Sequence, residues 1–451
     1  MAGGRWINQN KVRPGAYVNV DSNGAERSVA RMRGVVALPW EGDFGPIGKV
    51  IAVNSQTDFL RTFGYELQAQ QMVTIREALK RAATVLVYRV NGHGGAKAEA
   101  TIGDMRVIAQ YPGTRGNDIR IVVEDNLDNV GYFNVRTFID NIQDGQLLGT
   151  AQIDNQLARS VEDLTDNAFV TFVGEGSLAV ALAPGNNLTG GDQAKFPTVA
   201  DYEVYFEKME HHEFNTMALP VTDSGIREMG INFIARQRDE EGKKCQLVVA
   251  SAPAVDNEAV INVINGVVLH DGTRISAPEA TAWVAGATAG ADVNQSNTYT
   301  AYDGAIDLIG RYANTAVIDH LRQGHFLFTE QNGRIVVEQD INSLHNFSDE
   351  RNQSFSKNRV IRVLDDLANN IRRLFALHFI GQVTNDDNGR AVFKVAVIEY
   401  MSGLQNMGAI ENFSADDIQI EAGRNKDSIV VNLQVQSTDA MEKLYMSVEV
   451  Q

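Results

Sequence analysis

One cysteine, Cys245, stands in 451 residues, which excludes any disulfide within the chain. It sits just before the apolar run Leu247-Val248-Val249-Ala250, a setting for a small core filler rather than a reactive thiol. Basic residues are scarce as well: 40 Lys and Arg face 57 Asp and Glu, giving a net charge of −17 and a pI of about 4.9. Phosphate contact needs the opposite sign, so direct nucleic-acid binding is not expected. The same repulsion keeps free copies apart until a specific surface joins them. No apolar run approaches the ~18 residues of a membrane span. Met1-Ala2-Gly3-Gly4-Arg5 opens without the apolar stretch of a secretion signal. A soluble chain made in the cytosol, without membrane insertion, is the expectation. Tandem repeats and low-complexity segments are missing too.

Catalytic signatures are equally thin. Gly242-Lys243-Lys244 lacks the upstream glycine and the hydroxyl of a phosphate loop. Gly92-His93-Gly94-Gly95 follows a strand but leads into a β-rich region rather than a helix, and reads as a hinge. His211-His212-Glu213 resembles half of a zinc motif, yet Thr216 stands where the second histidine belongs. Of the paired aspartates, Asp365-Asp366 is expected on the solvated face of a long helix and Asp386-Asp387 in the turn Thr384 to Gly389. A GxSxG elbow does not occur. No catalytic residue, cofactor or metal is assigned.

What is present is a packed, segmented chain. Hydrophobic residues at 44% and charged residues at 22% suit a folded protein, and the length allows roughly three domains at ~150 residues each. Val35 to Leu38 and Val85 to Tyr88 read as strands around a helix from Gln68 to Ala82. From about Ala96 to Gly191 helical periodicity fades and strand-like pieces dominate, among them 120–124, 132–136 and 168–173. An all-β insertion is the reading. Alternation then resumes, with helices at 202–209, 225–238 and 281–290 and strands at 216–219, 245–251 and 267–269. This suggests one interrupted α/β domain with a mainly parallel sheet.

From His345 a further unit begins. Val360, Leu364, Leu367, Ile371 and Leu374 step by four and three along a helix from Asn358 to Phe379, and a second helix is expected near 397–407. Strands follow at 417–421 and 428–436, where Ile429, Val431, Leu433 and Val435 share one face. Both ends of the chain alternate in the same way. Pro14, Ala16, Tyr17, Val18 and Val20 belong to a short strand near the start; Leu444, Met446, Val448 and Val450, with Tyr445 opposite, form one at the end. Terminal strands fray unless a sheet takes them in. The residues alone leave open whether that sheet belongs to the same molecule or to another copy.

Particular strings carry a resemblance. Arg13-Pro14-Gly15-Ala16-Tyr17-Val18-Asn19 resembles the opening arm of contractile phage tail sheath proteins. Ala282-Trp283-Val284-Ala285-Gly286, Gly333-Arg334-Ile335-Val336-Val337-Glu338-Gln339-Asp340 and Lys357-Asn358-Arg359-Val360-Ile361-Arg362 are similar to that family's middle and C-terminal regions, as is Lys426-Asp427-Ser428-Ile429-Val430-Val431-Asn432. The resemblance spans nearly the whole chain and is closest to phages and prophage-derived particles of Gram-positive bacteria. It implies a multidomain α/β and β fold: a discontinuous subtilisin-like domain, an inserted β-sandwich, and an α+β C-terminal domain on the inner wall. The sheet of that last domain is completed by strands exchanged between subunits.

The boundaries then expected are an arm and linker at 1–27, α/β parts at 28–95 and 192–344, the insertion at 96–191, the inner-wall domain at 345–436 and an exchange arm at 437–451. The implied function is a structural, non-enzymatic subunit that polymerises in stacked rings around a tail tube and contracts. Its implied partners are copies of itself, the tube protein, and baseplate and tail-terminator proteins, in a virion tail assembled in the bacterial cytoplasm. A headless bacteriocin-like particle is the near alternative, and an α/β hydrolase or ligand-binding protein the distant one. Arg359, Arg362, Arg372 and Arg373 make the long helix locally basic and are the expected tube contact.

Overall fold

The computed structural model describes residues 33–143, 146–178, 180, 185–193 and 196–450. Pro14, Ala16, Tyr17, Val18 and Val20 of the expected N-terminal arm lie outside the described residues. The chain divides into two compact units.

The first unit, formed by the start of the chain, residues 77–84 and everything after 209, is built on a parallel sheet. Its strands run His325–Phe326, Val260–Val263, Gln246–Ala250, Thr216–Ala218 and the beginning of Val35–Trp40, with Leu247 beside Val260 and Val36 beside Thr216. Every residue of Gln246–Ala250 and Val260–Val263 is buried, as expected for strands covered on both faces. The helix Ala277–Gly290 owes its start to a capping box in which Ser276 and Glu279 bond each other's backbone. Its glycines allow close packing: a Cβ at Gly286 or Gly290 would collide with the carbonyls of Ala78 and Arg81. Trp283 on this helix stacks on Tyr302 at 4.4 Å, and the Tyr302 hydroxyl donates to Glu77 at 2.7 Å.

One strand differs from expectation. Gly266–Leu269 leaves the parallel sheet and joins an antiparallel one with Arg274–Ile275 and Ala305–Ile309. Asn265 and Gly266 turn the chain away; a Cβ at Gly266 would meet the Ile275 carbonyl.

The second unit, residues 38–76 and 85–208, contains the β-rich insertion as two antiparallel sheets. One orders Asn186–Asn187, Ile119–Asp125, Phe133–Gln143 and Gln146–Ala158; the other orders Glu99–Ile102, Met105–Ala109 and Val170–Val173. Ile119, Ile121, Val123, Val135, Val107 and Phe169 point into the shared core, the alternation of a sandwich. Arg115 is buried there, donating to the carbonyls of Gly64 at 3.0 Å and Asp140 at 2.7 Å.

The long helix Asn358–His378 closes the first unit. Val363 and Leu367 face an apolar cluster with Phe393, Val397 and Met401. Its opposite face is not solvated, contrary to expectation. Asp365 is bonded by both Nη atoms of Arg238, at 2.7 and 2.9 Å, and Asp366 faces Arg33 at 3.6 Å and the Tyr400 hydroxyl at 3.1 Å. The helix is sandwiched between the parallel-sheet domain and the C-terminal cluster, so both aspartates are buried. Burial works against charge on Arg238, but Asp365 outweighs it and holds the guanidinium above its ordinary value. Asp366 keeps a raised carboxyl: burial dominates over Arg33, Tyr400 and Asn370. Asp365→Ala, which leaves Arg238 charged and uncompensated, is expected to cost about 3–5 kcal/mol, read as a lowered urea midpoint; an unchanged midpoint would show that the pair contributes nothing.

Candidate assembly site

The C-terminal region is assembled from a helix and a hairpin. Asp386 caps the helix Asp387–Asn406 by accepting from the Gly389 amide at 2.7 Å. The Asp386-Asp387 pair is thus a helix start, and the helix begins ten residues before the expected Val397. Phe393, Val397, Met401 and Leu404 form its buried stripe. The strands Ile418–Ala422 and Ile429–Leu433 pair antiparallel, Ile418 with Leu433 and Ile420 with Val431. Ile420, Ile429, Val431, Leu433 and the following Val435 pack on the helix cluster. They stay only partly buried.

This sheet has two strands. Neither of its outer edges carries a third strand among the described residues, and an edge of this kind is a template for an added strand. Two-stranded sheets are marginal on their own.

The chain then crosses to the expected exchange arm. Ser437 bridges to Ile410, and the Thr438 hydroxyl meets the carbonyls of Gly408 and Ala409 at 2.8 and 3.0 Å while Arg359 donates to it at 2.8 Å. Glu442 is held more firmly. Its carboxylate accepts from Thr298 at 2.8 Å and Gln339 at 2.9 Å and pairs with Lys357. Burial alone would raise this carboxyl; hydrogen bonds from Lys357, Gln339 and Thr298 outweigh it and hold it below the ordinary value of 4.5.

Beyond Glu442 the chain is exposed. Residues 443–450 belong to no strand, and Leu444, Tyr445, Met446, Val448 and Val450 are 71–92% exposed. Five large apolar side chains within seven residues form a patch of the kind that marks an interaction site. The linker expected from Ser437 to Lys443 is therefore pinned to its own molecule, and free reach begins at Lys443.

The four arginines expected to meet a tube are placed differently. Arg359 donates to the Asn294 carbonyl at 2.7 Å as well as to Thr438. Arg362 is fully buried against Thr288, Gln295 and Asp340, and Arg372 against Glu213. These three are committed inside the chain. Arg373 is partly exposed and pairs with Glu213 and Asn370. Exposed apolar residues of this region include Leu377 on the long helix and Val392 and Val395 on the helix Asp387–Asn406. Sequence reasoning missed the clamp around Glu442, because Lys357, Gln339 and Thr298 lie 85 to 144 residues away.

Reactive chemistry is not assembled here. Burial pushes the Cys245 thiol up to about 12, Ser276 serves as a helix cap, and Glu213 of the half zinc motif binds arginines. Among the described residues no group of three or more His, Cys, Asp or Glu could hold a metal. No helix among them is long and apolar enough to cross a membrane.

Four family descriptions match in sequence along the chain: tail sheath protein Gp18 domain III N-terminal region at 33–90, phage tail sheath protein beta-sandwich domain at 93–193, phage tail sheath protein central domain at 197–343 and phage tail sheath C-terminal domain at 350–451. The chain is 36% identical to the phage-like element PBSX protein XkdK of Bacillus subtilis, over the whole of both. The sheath tail protein of Desulfitobacterium hafniense superposes with a TM-score of 0.81 at 39% identity, covering 97% of this chain and all of that one. The fold extends to the contracted helical sheath of the anti-feeding prophage, at a TM-score of 0.56 and 13% identity over 98% of this chain and all of that one.

If the Glu442 clamp holds the arm root, it is complete above pH 4.5 and lost as pH falls through the lowered value of its carboxyl. At neutral pH, Glu442→Ala removes a charged acceptor worth about 1.5–3 kcal/mol. Trypsin should then cut after Lys443 faster than in the unaltered chain, and equal rates would show that the root is not held there.

Proposed function

We propose, on the premise that the chain belongs to the phage tail sheath family, that its copies are knitted together by the arm beyond Glu442. The observation that carries this is the juxtaposition just described: an exposed strand-patterned arm with a fixed root, on a molecule whose hairpin sheet has two strands among the described residues. An added strand satisfies the edge amides and carbonyls and covers half-exposed Ile429, Val431, Leu433 and Val435. Residues 443–450 extend over roughly 26–29 Å at ~3.3–3.6 Å each, enough to reach an adjacent copy. Leu444, Met446, Val448 and Val450 at ~1.5–3 kcal/mol each set an upper bound of ~6–12 kcal/mol before ordering costs. The segment with Pro14, Ala16, Tyr17, Val18 and Val20 supplies the strand for the opposite edge.

The family is structural, and this chain is a sheath subunit rather than an enzyme. Strand exchange joins the copies by flexible spans with firm ends, so subunits can rotate and slide while the mesh stays closed. Contraction around a tail tube, between baseplate and terminator proteins, is the working cycle that this mesh serves. The fold shared with a contracted sheath supports it. The tube-facing surface is better sought on exposed residues such as Leu377, Val392 and Val395 than on buried Arg359, Arg362 and Arg372. A particle without a DNA-filled head is the second reading, favoured by the identity to a protein of a phage-like element.

The arm is exposed beyond its root, so a chain truncated after Glu442 should keep its melting temperature yet fail to form cylinders. Negative-stain microscopy of the overexpressed protein checks this. Long hollow cylinders from the truncated chain would refute the exchange.

A further inference from the structure

Three of the eight histidines of the chain gather in one place that the assembly site does not use. His320 lies in the last turn of the helix Asn314–Arg322, and His325 starts the edge strand of the parallel sheet, beside Asn262. Between them lie only Arg322, Gln323 and Gly324 after Leu321, and Gly324 turns with φ of 70°. That turn is fixed, since a Cβ on Gly324 would collide with the Ser343 backbone. The two rings meet at a tilt of 47°, Nδ1 to Nδ1 at 3.1 Å. Tyr312 packs edge-on against His320 at 4.6 Å and confines it.

A contact between two ring nitrogens requires one to donate and the other to accept. One proton in the gap is therefore compatible with the contact, and two are not. We propose that the His320–His325 pair is a pH-sensitive clasp that holds the helix Asn314–Arg322 to the sheet edge near neutral pH and releases it in mild acid.

The surroundings give the clasp this direction. The titratable groups bearing on His325 are His320 and His345, and no carboxylate is among them. His345 donates to the Ser343 carbonyl at 2.9 Å, and Asp256, 3.4 Å from the His345 ring, also accepts from the Asn346 side chain at 2.8 Å. Asp319 and Arg322 pair with each other on the exposed side of the helix. Burial and the two neighbouring histidines depress the basicity of His325 below the ordinary 6.5. The sign follows: the folded state takes up its proton less readily than the unfolded one, so the clasp is complete above pH 6.5 and fails as pH falls below it.

Release has a local consequence. Ile318, Leu321 and Arg322 of the same helix form one wall of a groove of about 550 Å³ whose far side includes Lys357, Glu442 and Lys443. Mild acid would thus loosen the wall beside the arm root before the Glu442 clamp itself titrates.

Hydrogen exchange of the full-length chain, corrected for the intrinsic pH dependence, tests this on peptides covering 313–326. Between pH 7.5 and 5.5 the opening of that segment should rise, while the Ser224–Asp239 helix stays unchanged. His320→Phe, which keeps the packing against Tyr312 but removes the nitrogen-to-nitrogen contact, should reduce the rise, the part due to the burial of His325 remaining. Nitrogen NMR of the unaltered chain gives a second readout if that variant folds poorly: the His325 ring should take up its proton below the ordinary 6.5. An opening that does not change with pH, a rise undiminished in the variant, or a His325 ring that takes up its proton at or above 6.5 would each overturn the proposal.

Discussion

Charge buried along one helix holds the first unit together. The helix Asn358–His378 carries Asp365, Asp366, Arg359, Arg362 and Arg372 on the side away from its apolar stripe, and each is answered from outside its own turn. Asp365 answers Arg238 of the Ser224–Asp239 helix, and Arg362 answers Asp340 just after the Arg334–Val337 strand. A buried pair is weak support on average, because desolvation offsets most of its attraction. Its value here is register. Bidentate geometry at Asp365 fixes how the helix sits on the parallel sheet, and the apolar stripe then fixes where the hairpin sits.

That double use of one helix explains what the sequence could and could not disclose. The apolar stripe was legible because Val360, Leu367 and Ile371 repeat at helical spacing. The other face looked solvated because its partners are remote; Arg238 precedes Asp365 by 127 residues. The run from Val260 to Leu269 concealed two strands in two sheets, with only Asn265 and Gly266 to mark the break. In the insertion, Gln146–Ala158 was missed since most of this edge strand is exposed and polar, with Ile153 and Ala158 as its buried residues. The alternation at Leu444 to Val450 was readable as a strand, whereas the structure shows the pattern without a ladder. Pattern records what a segment can pair with, and the isolated chain contains no such partner for it among the described residues.

An unpaired apolar strand is ordinarily an aggregation hazard. Two features restrain it here. The net charge of −17 opposes indiscriminate contact, and Glu442 fixes the point from which the arm departs, so that only a partner in one direction is within reach. The hairpin sheet is restrained in a complementary way, its inner face already packed on Phe393 and Met401 and only its edges open.

Anchoring the arm at a carboxylate rather than at a hinge has a mechanical consequence. A pull exerted through residues 443–450 is delivered to Glu442, and from there through Lys357 to the first residue before the long helix and through Gln339 to the neighbour of Asp340. Asp340 in turn binds Asn358 and Arg362. Tension therefore enters the rigid interior along bonds loaded end to end, bypassing the two-stranded hairpin, which as the most weakly braced element would otherwise be the first to peel.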